Sequence, residues 1–132
     1  MQSRLQAELH RRLQADSGLS LADFDVLVAL TDRPDERSRM LELATSLEWE
    51  KSRLSHHIAR MQKRGLVARE ECDDDGRGNV VVLTREGRAA IEAAAPAHVE
   101  TVRELVFDGL CDDDVDALAG ISSAVLSRIG RP

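Results

Sequence analysis

Apolar residues recur at intervals of three and four along most of the chain, and this rhythm gives way to β-branched spacing only between Gly65 and Thr84. Such a pattern specifies packed helices with one small β insertion. Aromatic residues make up 2% of the sequence and apolar residues 42%, so the helices must pack through Leu, Ala and Val. At 132 residues the chain has the size of one compact domain and needs no metal or disulfide to hold a core. The expected class is mainly α with a small β wing.

Leu5, Leu9 and Leu13 place a first helix over about residues 2–16. Ser20 stands where a cap is needed for a second helix over about 21–32, with Asp23 three residues on as a weaker capping box. Residues 32–38 have turn chemistry and no period, and are expected to form a loop. Met40, Leu43, Ala44 and Leu47 mark a short third helix. After Glu48-Trp49 the period resumes with Leu54, Ile58 and Met61, and Gly65 closes that fourth helix. Residues 66–71 and the run Val80 to Thr84 flank a polar stretch and read as a hairpin. Thr84 caps a long helix to about Leu110, which Pro96 should kink, and a last helix covers about 112–129. No apolar run is long enough for a membrane span, and the N-terminal residues lack the pattern of a secretion signal, so a soluble, cytoplasmic protein is expected.

The net charge of −6 argues at first against a nucleic-acid partner, because duplex binding relies on cations that displace counterions from phosphates. The distribution reverses that argument. Lys51, Arg53, Arg60, Lys63, Arg64 and Arg69 fall within 19 residues that contain no acid. Short helix, tight turn, helix, hairpin is the order of a winged helix-turn-helix, whose second helix enters the major groove. At about 100° per residue from Arg53, the apolar Leu54, Ile58 and Met61 fall near 100°, 140° and 80°. Ser52, His56, Lys63 and Arg60 lie near 260°, 300°, 280° and 340°, opposite the apolar stripe at about 100° per residue. Arg reads guanine through two parallel hydrogen bonds, Ser and His donate to bases or phosphates, and Lys offers a point charge to the backbone. Arg77, flanked by Gly76 and Gly78 at the hairpin tip, is suited to the narrow minor groove.

Leu43-Ala44 through Leu47, Ser52 to Ile58, Arg64-Gly65-Leu66-Val67 with Arg69, Asp75-Gly76-Arg77, and Leu83-Thr84-Arg85-Glu86-Gly87 follow one another in an order that resembles the MarR family of regulators. The resemblance covers nearly the whole chain. It implies one MarR-like domain over residues 1–132, with a winged helix-turn-helix core over 19–95 and helical dimerisation regions at 1–18 and 96–132. It implies a homodimer, a near-palindromic double-stranded DNA operator, and repression relieved by a small-molecule effector or by oxidation. Carried over by position, Ser52, Arg53, His56 and Arg60 would contact the groove, Lys51 the DNA backbone and Arg77 the wing-side groove. Two positions depart from the family pattern: Glu50 stands in place of a small polar cap, and His57 in place of an apolar residue.

Other chemistries find little footing. Cys72 and Cys111 lack the spacing of a zinc site or a disulfide framework. Cys111 falls at a helix N-terminus, which favours a thiolate, but Asp112 to Asp114 oppose it. His56 and His57 are adjacent and point about 100° apart on a helix, so no metal or other cofactor is expected. No nucleophile with a base, carboxylate pair or phosphate-cradling loop marks an active site, and the chain is read as a non-enzyme. A redox-switched regulator and a winged-helix protein-interaction module without DNA binding are the alternatives.

Overall fold

The computed structural model describes residues 1–71 and 79–130. Helix α1 (Gln2–Ser17) and α2 (Leu21–Thr31) are followed by β1 (Arg37–Arg39), α3 (Met40–Leu47), α4 (Lys51–Lys63), β2 (Val67–Glu71), β3 (Asn79–Leu83), α5 (Arg85–Val102) and α6 (Asp112–Ile129). A π-helical turn, Arg103–Phe107, extends α5. No described helix is long and apolar enough to cross a membrane.

Leu27, Leu30, Leu43, Leu54, Ile58, Met61 and Val81 are fully enclosed, so α2, α3, α4 and the sheet share one core. In α4 the periodic positions of the sequence, Leu54, Ile58 and Met61, are the buried ones. Ser20 and Asp23 form the reciprocal capping box of α2, each accepting the other's backbone N–H at 2.9 Å. Gly65, at φ 80°, closes α4: its N–H donates to Gln62 and that of Leu66 to Met61, the two bonds of a Schellman motif. Thr84 locks the next junction. Its hydroxyl donates to the Gly65 carbonyl at 2.6 Å and accepts the Gly87 N–H at 2.9 Å. A Cβ on Gly87 would lie 2.0 Å from the Leu66 carbonyl oxygen, so α5 leaves the sheet at a distance that excludes a side chain there.

One expectation is corrected. The segment read as a loop over 32–38 contains the start of β1, and the hairpin is thereby a three-stranded antiparallel sheet, ordered β1-β3-β2. Arg37, Ser38 and Arg39 pair with Val82, Val81 and Val80, using the edge of β3 that β2 leaves open. Pro96 lies within α5, which runs on as an α-helix to Val102, and the change of winding falls at Arg103–Phe107. Proline has no N–H to give the carbonyl of Glu92, an exposed residue one turn earlier.

Candidate nucleic-acid interface

Helix α4 turns its apolar stripe inward and leaves Lys51, Ser52, Arg53, His56, Arg60 and Lys63 exposed. Ser52, Arg53, His56 and Arg60, four of the residues expected to meet DNA, therefore share one open side of the helix, and a fifth, Lys51, at about 160° from Arg53, is exposed at its first turn. The sixth, Arg77, lies outside the described residues, as does Cys72. Glu50 precedes α4 without capping it through its side chain, and it is exposed. Ahead of it, Glu48 takes the left-handed conformation at φ 58°, and the Glu48 and Trp49 N–H groups close α3 onto Thr45 and Ala44. This turn sets the angle at which α4 leaves α3.

Two of the six basic residues of the acid-free segment, Arg64 and Arg69, are hydrogen-bonded to other elements of the fold. Arg64 donates to Asp23 Oδ2 at 2.7 Å and to the Gly18 carbonyl at 3.0 Å, tying the end of α4 to the start of α2. Arg69 donates to the Ser55 carbonyl and hydroxyl at 3.3 and 3.2 Å, fixing β2 beneath α4. Both brace the open face rather than extend it.

Behind that face lies a polar cluster. His57 is buried on α4, and its Nε2 is 2.8 Å from Asp23 Oδ1. Asp23 is also buried, and its carboxylate gathers His57, Arg64 and the Ser20 N–H. Burial by itself would raise the Asp23 carboxyl pKa, but the hydrogen bonds from His57, the Ser20 backbone and Arg64 outweigh it and hold the group well below the ordinary carboxylate range. On the other side of the ring, Nδ1 lies 3.2 Å from Arg60 Nη2. The Trp49 ring meets His57 edge-on, with centroids 5.6 Å apart, and the Arg53 guanidinium stacks 4.0 Å above Trp49. Asp23 entered the sequence reading only as a cap. The available signal was angular: at about 100° per residue, His57 and Arg64 fall near 40° and 20° on one edge of α4.

Two further features flank this region. A cleft of about 570 Å³ opens between α2, α3 and α5, walled by Phe24, Asp25, Arg33, Leu47 and His98, with the His98 and Phe24 rings 4.4 Å apart. His10 accepts the Leu21 N–H through Nδ1 at 3.2 Å and joins α1 to α2. At the far end, Leu118, Ile121, Val125, Leu126 and Ile129 of α6 are all exposed. They adjoin a groove of about 790 Å³ lined by Leu5, Leu105, Leu110, Leu118 and Ile121.

This architecture has close counterparts. A MarR family regulator from Streptomyces coelicolor, crystallised in complex with DNA, is 41% identical; the match covers 93% of this chain and 77% of that one, with a TM-score of 0.89. AbsC, a MarR family transcriptional regulator from the same organism, is 35% identical over 97% of this chain and 88% of its own, with a TM-score of 0.85. The transcriptional repressor YetL of Bacillus subtilis is 27% identical over 115 residues, which make up 87% of this chain and 68% of that protein. The MarR family profile itself matches residues 17–78. With this fold, and with identity to its structural counterparts maintained over nearly its whole length, the chain belongs to the MarR family of transcriptional regulators.

Proposed function

We propose that the chain is a cytoplasmic repressor that binds a near-palindromic double-stranded DNA operator as a homodimer and releases it when a small molecule binds. The observation that carries this reading is the exposed side of α4, where Ser52, Arg53, His56 and Arg60 face solvent together, with Lys51 exposed at the first turn of the same helix. Arg53 and Arg60 would address base edges, Ser52 and His56 bases or phosphates, and Lys51 the backbone. Arg77 would reach the adjacent minor groove from the wing.

The bare apolar stripe of α6 supports the dimer, since a run of exposed Leu, Ile and Val of this length marks an association surface. Residues 1–18 and 96–132 would form that surface and residues 19–95 the DNA-binding core. Two-fold pairing of identical recognition helices calls for two related half-sites about one helical turn apart. The cleft beside His98 lies between the core and the long helix, where a bound effector would change the spacing of the two α4 helices.

The test is binding to a duplex selected by the chain from random-sequence DNA. Affinity should fall steeply with salt, at a slope of about −0.9 per phosphate neutralised. Replacing Arg53 and Arg60 together by alanine should abolish selective binding while leaving the dimer intact by ultracentrifugation. Binding that ignores salt, or survives both substitutions, would refute the assignment.

A further inference from the structure

Two exposed arginines of α4 do not stand alone: Arg60 touches a buried imidazole, and Arg53 rests on the indole that the same imidazole meets. Asp23 is an acceptor at any pH above the acid range, so the His57 nitrogen facing it, Nε2, must carry a proton. In neutral His57 this leaves Nδ1 with a free lone pair, 3.2 Å from the Arg60 guanidinium, which can only donate. The same ring presents its edge environment to Trp49, on whose face Arg53 rests. The charged groups around the imidazole are Asp23 from α2 and Arg60 from α4, with Arg64 behind the carboxylate and Arg53 across the indole.

We propose that the buried Asp23–His57 pair is the positioning device of the recognition face: it fixes the tautomer through which His57 holds Arg60, and a second proton on His57 releases Arg60 and lowers operator selectivity. With Nδ1 protonated, a donor faces a donor and a cation faces a cation, so the guanidinium must turn away. Arg53 remains on Trp49. Selectivity is lost while general attraction to phosphates is kept, because the protein has become more positive. The inference rests on the DNA-binding reading above for its consequence, and on the geometry alone for its cause.

The experiment compares affinity for the selected duplex with affinity for an unrelated duplex of equal length, at constant ionic strength. On acidification sufficient to place the second proton on His57, the wild-type ratio should fall by about tenfold, the loss of one base-reading arginine. His57→Lys keeps a donor for Asp23 and, being donor-only, offers no acceptor to Arg60; its ratio should already be about tenfold lower than that of the wild type before acidification, and its acid response should be smaller by that same factor. His56 is present in both proteins, so the difference between their acid responses belongs to His57. Adding Arg60→Ala to His57→Lys should cost nothing further. A wild-type ratio and acid response in His57→Lys, or losses that multiply in the double variant, would overturn the proposal.

A second measurement separates this failure from failure of the DNA-binding reading. Nitrogen-resolved NMR of the free protein should show His57 as the Nε2–H tautomer, with its Nδ1 resonance shifted by Arg60→Ala. The other tautomer, or an Nδ1 signal indifferent to Arg60, refutes the positioning role whether or not any duplex binds.

Discussion

Helices α4 and α6 carry the same kind of apolar stripe and meet opposite fates. In α4, Leu54, Ile58 and Met61 are completely enclosed by α2, α3 and the sheet. In α6, Ile121 is 63% exposed and Leu126 66% exposed, at spacings that would serve equally well in a core. The difference lies in what the chain places opposite each stripe. The turn at Glu48 folds α4 back over α3, and the Gly65 and Thr84 junction brings β2 and β3 under it. The groove beside α6, between α1 and the π-helical turn, stays open within one chain. Amphipathic periodicity therefore reports that a face needs cover, and the connections decide whether the same chain supplies it.

Truncation sharpens that contrast most strongly. Leu54→Ala should destabilise the fold by about 2–5 kcal/mol, since a fully packed side chain is removed from a core that cannot collapse around the gap. Urea denaturation should report this loss at every protein concentration. Ile121→Ala should behave differently: its effect should appear as weaker self-association and a midpoint that depends more steeply on protein concentration. An equal, concentration-independent loss in both variants would mean that α6 is packed within its own chain.

The polar side of α4 offers a smaller effect with a pH signature. Asp23→Asn removes the charge that His57 and Arg64 share, and should cost about 1–3 kcal/mol near neutral pH. The sign of the pH dependence follows from the depressed pKa. A carboxylate held below its unfolded value contributes its full stability above that value, about 3.9, and loses it as the pH falls through the folded value. Wild type and variant should thus differ most near neutrality and converge below about pH 4. Acid titrations followed by circular dichroism should trace this narrowing gap, and a constant gap would show that the charge of Asp23 is not what stabilises the contact.

Sequence periodicity located the six helices because each carries an apolar stripe long enough to show a period. It missed β1 because Arg37-Ser38-Arg39 has no apolar residue and is too short to alternate; the open edge of β3 makes it a strand. The exposed side of α4 was legible for the same reason as its buried side, since 3.6 residues per turn fix one from the other. The Asp23–His57 contact was not legible, because a helical period says that a position is near the core without naming what it meets there. His57 looked like a departure from an apolar family position, and Asp23, 34 residues earlier, looked like a cap. Only their juxtaposition reveals a buried pair in contact beneath the arginines.

The smallest predicted effect separates the two duties of Asp23. Its carboxylate accepts the Ser20 backbone N–H as part of the capping box, and it also holds His57 and Arg64. Ser20→Ala removes the hydroxyl that accepts the Asp23 N–H at 2.9 Å and should cost about 1 kcal/mol, the usual value of an N-cap. The backbone N–H of residue 20 survives the substitution, so the carboxylate keeps its position and its contact with α4. Thermal denaturation should therefore show a modest loss, while the His57 tautomer and the acid response of operator selectivity remain those of the wild type. If Ser20→Ala alters the tautomer as well, the start of α2 and the recognition face form one cooperative unit, and the boundary between capping and positioning disappears.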